Sequence, residues 1–159
     1  LENKPSSRVV LLREISNKGF IFYTNYNSNK SNDINNNNNV CLNFYWNQLE
    51  RQVRVNGIVK KVDVYQSDKY FKSRPIKSQI AAIISPQSQE IDINTNLSDK
   101  LNNELNTKNL DLIKRPEHWG GYCVIPNKIE FWQGRDSRLH DRLIYKIINN
   151  SWKTSRLAP

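Results

Sequence analysis

The chain has 159 residues, of which 37% are hydrophobic and 25% charged, the length of one domain with one sizeable core. Twenty-four Lys and Arg against fifteen Asp and Glu leave a net charge of +9, which points to an anionic partner: nucleic acid, anionic lipid or a phosphorylated small molecule. No apolar run approaches the roughly 18 residues of a spanning helix. The start, Leu1-Glu2-Asn3-Lys4-Pro5, has no secretory apolar region, so neither a membrane span nor a signal peptide is expected.

Strand signals come first along the chain. Arg8 to Leu12, Phe20 to Tyr26, Val40 to Trp46 and Gln52 to Val62 are rich in β-branched and aromatic residues, and Asn17-Lys18-Gly19 reads as a hairpin turn. Val53, Val55 and Val59 alternate with Gln52, Arg54 and Lys60, as a strand with one wet face requires. The unbroken run Asn35 to Asn39, in a chain with 23 Asn, reads as a swollen surface loop within a segment, 29–39, open to loop or helix.

Ser67 can cap a short helix through Tyr70 that stops at Arg74, because the residue before Pro75 is disfavoured in the helical region. A second helix is expected from Pro75. Leu97, Leu101 and Leu105 recur at four-residue spacing around Ser98 and predict a surface helix covering one side of the sheet. Tyr122 to Ile125, Lys128 to Gln133 and Leu143 to Ile148 read as further strands. The pattern is α+β with an antiparallel β-barrel core and a few short helices. Cys41 and Cys123 lie without CxxC spacing in a chain with two His, so no metal site or disulfide framework is expected, and both read as buried thiols in a reducing compartment.

Four segments carry chemistry. Arg8 and Arg13 close the two ends of an apolar strand and, by alternation, face opposite ways; they are either solubilising strand ends or two separate anion sites. Gln52, in Arg51-Gln52-Val53-Arg54, offers both a donor and an acceptor to a heteroaromatic edge. Tyr70, Arg74 and Ser78 recur every four residues, so three phosphate-capable groups face one way or simply form a solvated helix face. From Ile129 to Arg142, Trp132, Arg135, Arg138, His140 and Arg142 crowd together, suiting stacked single-stranded nucleic acid or a flat phosphorylated ligand.

Taken together, Ser7-Arg8-Val9-Val10-Leu11-Leu12, Phe22-Tyr23-Thr24-Asn25-Tyr26, Glu50-Arg51-Gln52-Val53-Arg54, Tyr70-Phe71-Lys72-Ser73-Arg74-Pro75, Ser85-Pro86-Gln87-Ser88, Arg115-Pro116-Glu117-His118-Trp119-Gly120-Gly121, the Trp132-to-Arg142 stretch and the terminal Arg156-Leu157-Ala158-Pro159 make the chain similar along its whole length to the pyridoxamine 5′-phosphate oxidase family. The resemblance implies an FMN-binding split β-barrel of Greek-key type over 1–159, a cytoplasmic homodimer with both flavins at the subunit interface. It implies oxidation of pyridoxamine 5′-phosphate or pyridoxine 5′-phosphate by dioxygen to pyridoxal 5′-phosphate and hydrogen peroxide. Arg8 and Lys30 would hold the flavin phosphate, and Tyr23, Thr24, Gln52, Gln87, Ser88, Trp132 and Arg142 the rest of FMN. Tyr70, Arg74 and Ser78, with Arg13, would take the substrate phosphate, and Arg138 and His140 would flank the pyridine ring and the carbon being oxidised.

Three departures stand out. Arg13 replaces a usual Lys, Asn29 occupies a usually basic position beside Lys30, and the family's N-terminal strand and substrate flap are absent; with no Met in the chain, a preceding segment is expected. The departures define an alternative, a non-catalytic flavin or pyridoxal-phosphate binding module. A nucleic-acid-binding barrel ranks below both, because the basic residues fall where the phosphates of small molecules are expected.

Overall fold

The β-branched and aromatic runs form one antiparallel sheet in a computed structural model that describes residues 4–107, 109 and 112–159; the first three residues of the start read above lie outside it. The strands are β1 (Glu14–Ile15), β2 (Phe20–Asn25), β3 (Asn39–Trp46), β4 (Arg51–Lys61), β5 (Trp119–Gln133), β6 (Asp141–Ile148) and β7 (Ser151–Arg156), with helices α1 (Asn29–Asn36), α2 (Val64–Ser73), α3 (Ile76–Ile84) and α4 (Leu97–Thr107). The sheet order is β1-β2-β5-β4-β3, and β6 pairs with both β5 and β7.

β5 organises the sheet. One edge runs along β4 from Tyr122 to Gln133; the other pairs with β2 from Trp119 to Val124 and with β6 from Lys128 to Gln133. The sheet therefore splits where β2 gives way to β6. Pro126, which has no N–H to donate, sits in that changeover. Opposite it, the ladder to β4 slips between Asn56 and Gly57, and a Cβ on Gly57 would run into the Ile125 backbone, so glycine is required at the bulge. Phe22, Val55, Val59, Tyr122 and Val124 form the buried core, covered by Ile34, Leu42, Phe44 and Val53; the alternation read along β4 is the one that builds it.

Several expectations change. Arg8 to Leu12 is not a strand: pairing with β2 starts only with the Arg13 N–H to Ile21, because the Asp33 carboxylate on α1 binds Ser6 and Arg8 and draws the segment off the sheet edge. Val9 and Leu11 are left exposed. The Asn run is no loop at its start, since Asn35 and Asn36 finish α1 and β3 begins at Asn39. α2 is capped by Asp63, whose side chain accepts the Gln66 N–H, and Ser67 is instead buried inside the helix. α4 packs on α3 rather than lying directly over the sheet. The two strands expected on either side of Pro126 are one, and β7 was not foreseen. Cys123 is buried, but Cys41 is exposed on β3. No described helix is long and apolar enough to cross a membrane.

Candidate active site

The expected ligand residues gather in two regions at opposite ends of β5. The first begins where β2 ends and α1 starts. Lys30, in the first turn of α1, is buried, yet among the described residues its Nζ donates only to neutral oxygens: Thr24 Oγ1 (2.6 Å), Ser28 Oγ (2.9 Å) and Gln87 Oε1 (3.4 Å). Burial, and then the Arg8 guanidinium, push its pKa below the ordinary lysine value. Gln87 also accepts from Thr24 and from the Asn25 N–H, so the loop after α3 is sewn to the end of β2. Its neighbour Ser88, expected at the cofactor, is exposed with a left-handed φ of 69°. Arg8 points into the same region but is held by Asp33 (2.9 Å) and Ser6 (2.9 Å). Hydrogen bonds from Ser6 and Arg8 hold the Asp33 carboxyl below its usual range. Asn29 is exposed at the start of α1.

Beside this cationic corner lies an aromatic stack. Tyr23 packs on Tyr70 (centroids 3.9 Å apart) and on Trp119 (5.6 Å). The approach requires Gly121, where a Cβ would meet the Tyr23 ring at 2.8 Å. Burial, followed by the Glu14 carboxylate, raises Tyr23 to about 12. Arg74, the residue that ends α2, lies over Trp119 at 4.5 Å. Its Nη1 is buried without a hydrogen-bond partner, and burial and then Arg13 lower its pKa. Gln79 of α3 donates to the Lys72 and Arg74 carbonyls, fixing the Arg74 backbone despite Pro75. Arg13 stands 6.0 Å from the Tyr70 ring. Arg8 and Arg13 thus serve two different cationic regions. Ser78 is half-buried in the first turn of α3, and among the described residues no hydrogen bond joins it to Tyr70 or Arg74. Tyr70 and Arg74 meet; Ser78 is not brought into contact with them.

The second region is at the far end of β5, where Gln52, Trp132 and Arg142 are cross-strand neighbours on β4, β5 and β6. Gln52 and Trp132 border an open groove of ≈ 360 Å³ that also takes in Trp46 and Phe131, with Arg142 beside Trp132 on the next strand. His140 packs on Trp132 at 4.7 Å, and its Nδ1 accepts the Arg135 N–H (3.1 Å), so the proton of the neutral ring is on Nε2. Arg138 is exposed and follows Ser137 in two consecutive left-handed residues, φ 54° and 63°, a costly backbone that re-aims the side chain.

The two regions are twelve residues apart on β5, from Gly120 opposite Thr24 to Trp132, or ~40 Å of extended strand. One chain therefore keeps the two groups of expected ligand residues apart at opposite ends of β5. Three residues that matter here were missed in the sequence: Trp119, the platform under Arg74; Asp33, the partner of Arg8; and Glu130, the partner of Arg142. Only Trp119 carried a signal, being an aromatic next to the Gly120-Gly121 pair.

The phosphate-bearing groups implied by the resemblance suit these residues. Lys30 has charge to share with an anion and the buried Arg74 Nη1 has N–H groups to donate, while the aromatic stack and the Trp132 groove offer flat apolar surface.

A curled split sheet with phosphate-ready cations and stacked aromatics defines the split-barrel flavoprotein class. The structure superimposes on PhzG from Burkholderia lata 383, solved in complex with tetrahydrophenazine-1-carboxylic acid, with a TM-score of 0.88 and 28% identity over 97% of this chain and 75% of that one. A pyridoxamine 5′-phosphate oxidase-related, FMN-binding protein from Nostoc punctiforme shares the fold at a TM-score of 0.78 and 15% identity, over 98% and 82% of the two chains. Residues 1–99 match the family model described as pyridoxamine 5′-phosphate oxidase, and 119–159 match the pyridoxine 5′-phosphate oxidase C-terminal dimerisation region. A pyridoxine/pyridoxamine 5′-phosphate oxidase of Legionella pneumophila is 56% identical over 98% of this chain and 72% of its own. Another from Actinobacillus pleuropneumoniae is 46% identical over 100% and 76%. The chain belongs to the pyridoxine/pyridoxamine 5′-phosphate oxidase family.

Proposed function

We propose that the protein is an FMN-dependent oxidase of pyridoxamine 5′-phosphate and pyridoxine 5′-phosphate that works as a homodimer. The observation that carries the reading is Arg74: a guanidinium with a buried, unpartnered Nη1, laid on Trp119 beside Tyr70 and near Arg13. A phosphate is the ligand that such a cation serves best. Lys30, Arg8 and the first turn of α1 supply a second phosphate site for the flavin, with Thr24 and Gln87 holding the ammonium in place. Gln52, Trp132 and Arg142 would meet the remainder of FMN from the partner subunit, since one chain's half-sites lie too far apart on β5 to close on one mononucleotide.

FMN held by these residues would supply a hydride acceptor for the substrate carbon, with dioxygen as the final electron acceptor and hydrogen peroxide as its product. The chain's part is orientation and charge. Two phosphate anchors fix the two ring systems, which converts an encounter into an aligned pair. His140 offers an Nε2–H, its other nitrogen being engaged by Arg135, and Arg138 adds a cation on a strained, pre-aimed backbone.

Replacing Arg74 by Ala tests the reading. Losing a directional guanidinium–phosphate contact should cost about 2 to 4 kcal/mol in substrate binding, seen as a steep rise in KM with FMN content unchanged. The intact enzyme should strongly prefer pyridoxamine 5′-phosphate over pyridoxamine; a variant that keeps this preference would place the substrate phosphate elsewhere.

A further inference from the structure

We propose that Glu130 and the main-chain carbonyl of Ala158 are positioning groups that aim the Arg142 guanidinium at the flavin; this rests on the reading that Arg142 meets FMN. Glu130 is a carboxylate only 3% exposed in the middle of the sheet. Its Oε1 accepts from Arg142 Nε (2.9 Å) and forms an ion pair with Nη2 (2.8 Å), and its Oε2 lies 3.6 Å from Arg54 Nη1. On the other side, Arg142 Nη1 donates to the Ala158 carbonyl (3.0 Å), while the Leu157 N–H returns a bond to the Arg142 carbonyl (3.0 Å). The last residues of the chain therefore fold back on Arg142 just past the end of β7.

The donor count gives this arrangement its meaning. A guanidinium has five N–H groups; Glu130 takes the Nε–H and Ala158 one on Nη1, leaving N–H groups on both terminal nitrogens for a ligand. Two arginines against one carboxylate keep a net positive charge at the cluster. A long side chain clamped on two sides loses less conformational freedom when it binds than a free one. Neither Glu130 nor the tail has to touch the ligand for its removal to be felt.

The test measures FMN dissociation constants by flavin fluorescence on the full chain and its variants, with melting temperature alongside. Arg142→Ala sets the scale. Deleting Leu157 to Pro159 should weaken FMN about tenfold, whereas deleting Pro159 alone leaves an acceptor on Ala158 and should bind like the intact chain. In the Arg142→Ala background the same deletion should have no further effect, because it acts through Arg142. Should the shortened chain fail to fold, Glu130→Gln in the two backgrounds supplies the same contrast. An equal loss in both backgrounds, or no loss in the intact background while Arg142→Ala weakens FMN, overturns the inference. An Arg142→Ala variant that binds FMN normally overturns the reading beneath it.

Discussion

Lys30 is where residue chemistry and function meet most directly. Its ammonium is buried among neutral oxygens and beside Arg8, so its pKa is lowered; a bound phosphate would favour the charged form. Raising the pH through that lowered pKa removes the proton and the attraction with it. FMN affinity should therefore fall at a lower pH than an exposed lysine would titrate, while riboflavin, which lacks the phosphate, should show no such fall; titration of both ligands by fluorescence checks this. Asp33 adds a second effect. By pairing with Arg8 at 2.9 Å it puts a negative charge into the proposed phosphate site, beside Asn29 where the resemblance expects a cation. Asp33→Asn should bind FMN roughly three- to fivefold more tightly, and weaker binding would mean that Asp33 aims Arg8 rather than competing for it. Arg8 and Lys30 were named as ligands only through the family resemblance, whereas Arg74 also stood out by its four-residue spacing from Tyr70 and Ser78. Asp33 and Glu130 were not named, because a carboxylate's partner is fixed by helix spacing and strand register, which no local pattern reveals.

At the level of elements, legibility followed hydrogen-bonding demand. β2 and β3 were readable from their β-branched and aromatic runs, and β4 because its alternation and core-facing valines agree. Arg8 to Leu12 has the composition of a strand but loses its pairing to the Asp33 contact, and propensity alone does not make a ladder. β5 was read as two strands on either side of Pro126; the proline is tolerated where β2 hands over to β6. β7, Ser-Trp-Lys-Thr-Ser-Arg, is exposed throughout and lacks the alternation that would have flagged it. The connection from Gly134 to His140 is the element nearest the proposed chemistry. Gly134 is tied to the Glu50 carbonyl (2.7 Å) and Arg135 to Asp141 (2.7 Å), so the strained Ser137-Arg138 pair is pinned at both ends. Arg138→Ala and His140→Ala should each lower kcat on the order of a hundredfold with flavin content retained; parallel loss of flavin and turnover would put these residues on the cofactor instead.

Across the whole molecule, the far end of the sheet leaves Trp46, Phe131 and Trp152 about half exposed, a large apolar surface for a lone chain. The C-terminal region that carries Phe131 and Trp152 matches a dimerisation region, so a two-fold partner is the cover that family and surface both call for. β5 then acts as a strut. On the proposed reading its Trp119 end would serve one flavin and its Trp132 end the other, so each chain would lend opposite ends to two different sites. Defects in the two ends should accordingly complement each other. Neither a Lys30→Ala chain nor a Trp132→Ala chain should hold flavin well alone, yet in a mixed dimer one site inherits both lesions and the other inherits none. Co-refolding equal amounts should restore about a quarter of the sites of the intact protein, counted by flavin absorbance and turnover together. If nothing returns on mixing, each chain must build its site from its own two ends.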